Sequence, residues 1–180
     1  MVACERVFVL GIDPGLSRCG YGGVRRQGGE LRAVLGGVIR TDTALAVPER
    51  LNLLHSELSR LVAETAPDAV VVERVLFQTN ARTAMSVGQA AGIALLAAAR
   101  AGCPVVQYSA NEVKMAVVGY GSATKEQVQR MVAAVLGLAE LPTPADVADA
   151  LALAVCHASS SGLRRALETG RGGGLAEART

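Results

Sequence analysis

The sequence predicts an α/β fold in which helices cover both faces of a mixed, five-stranded sheet. Five short apolar or β-branched runs indicate strands, at residues 7–12, 19–26, 31–40, 69–72 and 105–108. The segments after the third run show apolar residues at helical spacing instead. Three consecutive strands followed by alternating strands and helices are typical of a sheet with both parallel and antiparallel pairs.

The first strand ends at the turn Asp13-Pro14-Gly15. The second and third strands are joined by Gln27-Gly28-Gly29, and these glycines favour a tight hairpin turn. A helix follows Pro48, and we expect it to end at Pro67. Its apolar face is formed by Val47, Leu51, Leu54, Leu58 and Leu61. The run at residues 69–72 is continuously apolar, as in a strand buried on both faces.

Helices are expected at residues 80–101 and 111–118, on either side of the strand at 105–108. Thr124 and Gln127 form a capping box that predicts the start of the next helix. Thr143-Pro144 predicts the start of the last helix, with the proline in its first turn. This order of elements is compatible with a ribonuclease H-like fold, although the order alone does not specify it.

The composition indicates one cytoplasmic domain over residues 1–165, with a disordered Gly-rich tail at 166–180. Aromatic residues make up only 3% of the chain, so Ala, Val and Leu must build the core. The four cysteines are widely spaced, which favours free thiols in a reducing compartment. The apolar stretch 84–99 is too short for a membrane span, and no targeting segment is apparent.

Two carboxylates follow apolar strands. Asp13 closes the first strand at the rim of the sheet, where α/β folds place ligands, although Asp-Pro-Gly is also ordinary turn chemistry. Glu73 ends the fourth strand, where an unpaired buried carboxylate is costly. A pair with Arg74, or simple exposure, would also account for Glu73.

Asp146 and Asp149 lie three residues apart on the last helix and share one face. The helix dipole explains Asp146 near the first turn. It does not explain Asp149, which lies in an apolar segment with no basic residue one turn away. Together the four acids suit Mg²⁺ or Mn²⁺, of which two ions can activate water and stabilise the leaving oxygen of a phosphodiester. The motifs H-E-x-x-H, G-x-S-x-G and the P-loop are absent, and His55 and His157 are isolated.

Six strings in order resemble the RuvC family of Holliday junction resolvases, over about residues 7 to 160. They are Gly11-Ile-Asp-Pro-Gly15, Val72-Glu-Arg74, Gly88-Gln-Ala90, Val113-Lys114, Gly121-Ser-Ala123 and Asp146-x-x-Asp149-Ala-Leu-Ala152. The resemblance implies a ribonuclease H-like fold and a structure-selective endonuclease. It implies a homodimer that resolves four-way DNA junctions by paired, symmetric nicks, leaving 5′-phosphate and 3′-hydroxyl ends, in recombination and repair. A branch-migration motor is the partner that it implies.

The resemblance assigns Asp13, Glu73, Asp146 and Asp149 as catalytic ligands of Mg²⁺ or Mn²⁺, with two ions per site. It assigns Lys114 and Lys125 to the DNA backbone, and Lys125, in the first turn of a helix, would gain from a docked phosphate. The family usually has an aromatic residue three positions after the glutamate. This chain has Leu76 there and Phe77 next, so either side chain is a candidate for stacking on a base.

Three other interpretations remain open from the sequence. Gly11-Ile-Asp-Pro-Gly15 also resembles the turn of pre-ribosomal RNA processing nucleases. The longer string Gly11-Ile-Asp-Pro-Gly-Leu-Ser17 resembles the phosphate loop of actin-like or sugar-kinase ATPases, but this chain has neither the length for their two domains nor a second phosphate loop. A non-catalytic junction-binding subunit is disfavoured because all four acids are present.

Gly88-x-x-x-Gly92 permits either tight helix packing within the chain or dimerisation.

Overall fold

The computed structural model describes residues 6–74 and 81–171, and it has the predicted mixed sheet with helices on both faces. The elements, in chain order, are β1 (Val7–Asp13), β2 (Arg18–Gln27), β3 (Glu30–Arg40), α1 (Val47–Thr65), β4 (Ala69–Glu73), α2 (Ala81–Arg100), β5 (Val105–Tyr108), α3 (Ala110–Val118), α4 (Lys125–Leu136) and α5 (Ala145–Arg171). The five strands lie in the order β3-β2-β1-β4-β5.

The sheet is antiparallel on one side and parallel on the other. β1 pairs antiparallel with β2, and β2 with β3, whereas β1, β4 and β5 run parallel. The predicted hairpin turn between β2 and β3 is confirmed. Gly28 and Gly29 have φ angles of 60° and 92°, a region in which side-chain-bearing residues are strained.

Alternate residues of the central strands supply two separate cores. Val9 and Val71 point toward α3, α4 and α5. Leu10, Val70 and Val72 point toward α1 and α2. The continuous apolar run of β4 is therefore explained by burial on both faces, as the sequence predicted. With so few aromatic residues, both cores consist mainly of Val, Leu and Ala.

Helix α5 lies unusually close to the sheet because three strand residues opposite it are glycines. A Cβ atom on Gly11 would collide with the carbonyl oxygen of Ala150, and one on Gly20 with the carbonyl oxygen of Asp146. A Cβ on Gly22 would lie 2.7 Å from Cγ of Leu151. This close approach fixes where the acids of α5 stand relative to the end of β1.

The predicted start of the last helix was wrong by one residue. α5 begins at Ala145, one residue after Pro144, whose carbonyl accepts a hydrogen bond from the Val147 amide at 2.9 Å. Pro144 therefore lies just before the helix, and its carbonyl oxygen accepts a hydrogen bond from the first turn. The predicted end of α1 before Pro67 is confirmed, since the helix ends at Thr65 and Ala66 caps it in a left-handed conformation.

The predicted tail, residues 166–180, stays a prediction. α5 continues to Arg171, and residues 172–180 lie outside the described part of the chain. Among residues 6–74 and 81–171, no helix is long and apolar enough to cross a membrane. Cys19, Cys103 and Cys156 are free thiols, as expected.

Candidate active site

The carboxyl ends of β1 and β4 open into a cavity of about 400 Å³. Helices α3, α4 and α5 close its sides. Its charged lining consists of Asp13, Glu73, Lys114, Lys125 and Asp149. Five residues that are far apart in sequence, and that were predicted to act on one substrate, therefore share one cavity.

Asp13 and Glu73 form the floor of this cavity, and each is the last residue of its strand. Burial raises the pKa of Asp13 from 3.8 to about 7, and the neighbouring charges of Asp149 and Glu73 add to the rise. Burial followed by repulsion from Asp149 likewise raises the pKa of Glu73. The positive charge of Lys125 opposes both effects. The single positive charge of Lys125 therefore does not balance the negative charges of Asp13, Glu73 and Asp149.

Asp149 has the partner that the sequence could not identify. Nζ of Lys125 lies 2.5 Å from Oδ2 of Asp149. The hydrogen bond to Asp149 raises the pKa of Lys125. Lys125 is the first residue of α4, next to the predicted capping box, in which Thr124 accepts a hydrogen bond from the Gln127 amide. The helix dipole opposes a cation at this position, so Asp149 offsets an unfavourable placement.

Asp146 does not line this cavity, although its charge acts on Asp13. Its backbone lies against Gly20, which is the antiparallel partner of Asp13. Its carboxylate pairs with Arg18, with 2.5 Å between Nη2 and Oδ2. Hydrogen bonding from Arg18 lowers the pKa of Asp146.

The loop that leads into Arg18, the first residue of β2, is anchored from two sides. The Thr41 amide donates to the Ser17 carbonyl at 3.2 Å, and the Thr41 hydroxyl donates to the Leu16 carbonyl at 2.6 Å. Arg50 of α1 donates to the hydroxyl oxygens of both Thr41 and Ser17, at 2.9 Å and 2.6 Å. Because Thr41 is buried, the backbone after Asp13 has little freedom to move.

Lys114 reaches the cavity from α3, whose start is fixed by a capping box. The Ser109 amide donates to the Glu112 carboxylate at 2.7 Å. Arg74 turns away from Glu73, since its Nη1 lies 3.9 Å from Oε2 of Glu112. The alternative explanation of Glu73 as the partner of Arg74 is therefore not supported.

The donor chemistry fits a hard divalent cation, since Mg²⁺ and Mn²⁺ prefer carboxylate oxygens. Among residues 6–74 and 81–171, no group donates a hydrogen bond to the carboxylates of Asp13 and Glu73. Burial and the repulsion between neighbouring carboxylates raise their pKa values, and a bound cation would relieve that repulsion. In the same part of the chain, no three Asp, Glu, His or Cys side chains converge tightly enough to form a ready ligand set. Two of the four acids instead hold the cationic side chains of Arg18 and Lys125.

Leu76 and Phe77 lie outside the described residues. Sequence reasoning missed Arg18, although a signal was available in the hairpin register. Asp13 pairs with Gly20, so the start of β2 had to lie beside the end of β1. His157, which is isolated in the sequence from other candidate metal ligands, contacts the Tyr108 hydroxyl through Nδ1 at 3.0 Å.

Comparison with known proteins agrees with this geometry. The model of the crossover junction endodeoxyribonuclease RuvC family matches residues 9–157. RuvC proteins of Syntrophomonas wolfei and Trichlorobacter lovleyi are 48% and 52% identical to the chain. The first match covers 89% of this chain and 94% of the relative, and the second covers 87% of each.

Solved structures give the same assignment. The Thermus thermophilus RuvC structure superimposes with a TM-score of 0.81 and 37% identity, covering 88% of this chain and 97% of that one. The same protein in complex with a Holliday junction substrate gives a TM-score of 0.83 and 38% identity, covering 88% and 96%. The fold is thus ribonuclease H-like, and the chain belongs to the RuvC family of crossover junction endodeoxyribonucleases.

Proposed function

We propose that this chain is a structure-selective endonuclease that resolves four-way (Holliday) DNA junctions by paired, symmetric nicks in recombination and repair. The observation that carries the proposal is the cavity in which three carboxylates face two lysines. A hydrolytic phosphodiesterase needs acids that hold cations and basic groups that hold phosphate. The similar Thermus thermophilus protein has been solved with a Holliday junction substrate.

The acids have a common task in this proposal, which is to bind divalent metal. Asp13, Glu73, Asp146 and Asp149 would hold Mg²⁺ or Mn²⁺, with two ions per site. When bound, such ions lower the pKa of water and stabilise the leaving 3′-oxygen, so that cutting leaves a 5′-phosphate and a 3′-hydroxyl. Asp13 must lose its proton before it can serve as a ligand. Its raised pKa makes metal binding strengthen up to about pH 7.

The lysines have a different task, which is to position the DNA. Lys114 and Lys125 border the acidic floor on the side of α3 and α4. We propose that each contacts a backbone phosphate next to the bond that is cut. Lys125 would exchange Asp149 for a phosphate at the start of α4, where the helix dipole favours an anion. Leu76 and Phe77, which follow Glu73, are the candidates for stacking on an opened base.

Symmetric cutting requires two active sites, and α2 offers a surface for a homodimer. Met85, Gly88, Gly92 and Leu96 are exposed and lie along one face of this helix. A Cβ atom added at Gly88 or Gly92 meets nothing within 4 Å, so packing within the described chain does not require these glycines. A second copy of the chain is the occupant that we propose. A branch-migration motor remains a further proposed partner.

The dimer has its own test in sedimentation. Met85→Glu places a charge on the proposed interface, at a side chain that is 68% exposed. We expect this variant to sediment as a monomer. Met115→Glu changes an equally apolar side chain, 50% exposed on α3, and should leave the dimer intact. Equal behaviour of the two variants would exclude α2 as the interface.

The nuclease itself is tested with a synthetic four-way junction, in the presence of Mg²⁺, Mn²⁺ or EDTA. We expect paired nicks that DNA ligase can seal, only with metal, and no cutting of a linear duplex of the same sequence. Asp149→Asn should bind the junction without cutting it, and Asp42→Asn, an exposed acid elsewhere, should cut normally. Junction binding without cutting by the unaltered protein in either metal would instead indicate a non-catalytic binding subunit.

A further inference from the structure

Arg18 has no role in the proposed reaction, yet its guanidinium forms an ion pair with Asp146, one of the proposed metal ligands. Its Nη2 and Nε atoms lie 2.5 Å and 3.5 Å from the two oxygens of Asp146. This two-point contact fits the planar guanidinium to the carboxylate, and a lysine could not reproduce it. The side chain of Arg18 is 41% exposed and that of Asp146 is 23% exposed, so solvent and ions reach the pair.

The backbone before Arg18 is fixed, whereas the guanidinium pairs with one acid among the residues that the structure describes. Thr41 and Arg50 anchor the preceding residue, Ser17, through hydrogen bonds to its carbonyl and hydroxyl oxygens. Within the described chain, Asp146 is the one acid that pairs with Arg18. Rotation of the side chain alone can therefore release the carboxylate, without any movement of the strand.

We infer that Arg18 is a positioning residue that holds Asp146 in the metal-free enzyme and competes with the divalent cation for that carboxylate. The inference rests on the proposed function, since it assumes that Asp146 is a metal ligand. A carboxylate in a two-point ion pair must break that pair before it can bind metal, and the cost of this exchange weakens the apparent affinity for the metal. Arg18 thus sets the metal concentration at which the site fills, and it keeps Asp146 oriented until then.

The expected size of the effect follows from the exposure of the pair. Exposed ion pairs contribute little, and a positive charge close to a divalent cation is screened by water and salt. Loss of the Arg18 charge should therefore tighten metal binding by roughly 3- to 10-fold at low ionic strength. Salt at high concentration should reduce the difference, because it weakens the competing pair.

The experiment is a Mn²⁺ titration of the full chain without DNA, followed by calorimetry and by the electron paramagnetic resonance signal of free Mn²⁺. Arg18→Gln removes the charge. Arg40→Gln is the matched control, because Arg40 lies directly opposite Arg18 on β3 and has no ion-pair partner in the part of the chain that is described. Arg18→Met, which keeps the apolar stem, replaces Arg18→Gln if that variant fails to fold.

A double variant tests whether Arg18 affects metal binding through Asp146. We expect Arg18→Gln to bind Mn²⁺ about 3- to 10-fold more tightly than the unaltered protein, and Arg40→Gln to bind like it. In an Asp146→Asn background, where the carboxylate is gone, Arg18→Gln should change nothing. An unchanged or weaker affinity in Arg18→Gln, or equal tightening in Arg40→Gln, would overturn the inference. Absence of Mn²⁺ binding in the unaltered protein would overturn the metal site itself, and the inference with it.

Discussion

Replacing Asp13 by asparagine should stabilise the metal-free protein at neutral and alkaline pH, although it removes a proposed catalytic group. Asp13 is largely buried, and it lies near Asp149 and Glu73. Its pKa is about 7 in the folded protein, against 3.8 for an ordinary aspartate. Because the folded state holds the proton more tightly than the unfolded chain, ionising Asp13 favours unfolding.

The magnitude follows from the difference between those pKa values. Each pKa unit corresponds to about 1.4 kcal/mol, so a rise of about three units corresponds to at most about 4 kcal/mol of lost stability. Partial access to water and relaxation of the neighbouring acids reduce this to roughly 2 kcal/mol as a working value. In a domain of this size, that corresponds to roughly 4–8 °C in melting temperature.

The direction of the pH dependence is specific. The contribution of Asp13 to stability is complete below about pH 4 and is lost as the pH rises through about 7. Thermal and urea unfolding in EDTA, from pH 4.5 to 8.5, measures it. The melting temperature of Asp13→Asn should exceed that of the unaltered protein at pH 8.5 and approach it at pH 4.5. Mg²⁺ or Mn²⁺ should stabilise the unaltered protein far more than the variant.

Asp42→Asn provides the control for this prediction. Asp42 is an exposed aspartate whose side-chain oxygen accepts a hydrogen bond from the Ala44 amide at 2.9 Å, and an asparagine can still accept that bond. We expect its unfolding curve to follow that of the unaltered protein. The reasoning is refuted if Asp13→Asn is less stable at pH 8.5 than the unaltered protein, or if the gap between them does not change with pH.

Three further predictions concern the lysine, the glycine contact and the apolar segment. Lys125→Ala should weaken junction binding and make its salt dependence shallower by about one unit, whereas loss of cutting at an unchanged slope would place Lys125 in the chemistry instead. Gly11→Ala should cost roughly 1–3 kcal/mol of stability and reduce cutting, because the added methyl group pushes α5 and Asp149 away from the sheet. Urea unfolding measures the stability and junction cleavage measures the activity, and full activity would contradict the prediction. Phe77→Ala should lose cutting of a fully paired junction and recover it when mismatches open the crossover, because stacking is worth roughly 1–3 kcal/mol, with Leu76→Ala less affected. A large fall in the melting temperature without that recovery would make Phe77 a core residue.

Local sequence signals predicted most of the fold, because each of them acts over a few residues. The hairpin glycines, the apolar run of β4 and the Thr124 capping box all correspond to elements of the structure. The position of Pro144 was wrong by one residue, since a proline can precede a helix as well as enter its first turn. Periodicity does not distinguish these two placements.

The partners of the acids could not be predicted in the same way. Arg18 and Asp146 are separated by 128 residues, and their contact depends on how α5 crosses the sheet. That crossing in turn depends on strand glycines, which by themselves indicate only weak strands. Asp149 was expected to need a partner, but its own helix has no basic residue one turn away, and the partner Lys125 comes from α4.

The sheet order has a consequence for how the molecule opens. β1 and β4 are adjacent interior strands of the sheet, and each has a neighbouring strand on both sides and helices on both faces. Amide protons of residues 8–12 and 70–72 should therefore exchange with solvent only through global unfolding, while helix ends exchange by local fraying. Asp13 and Glu73 are the final residues of these strands. The floor of the cavity is thus part of the last unit to open, and partial unfolding elsewhere leaves these two acids in place.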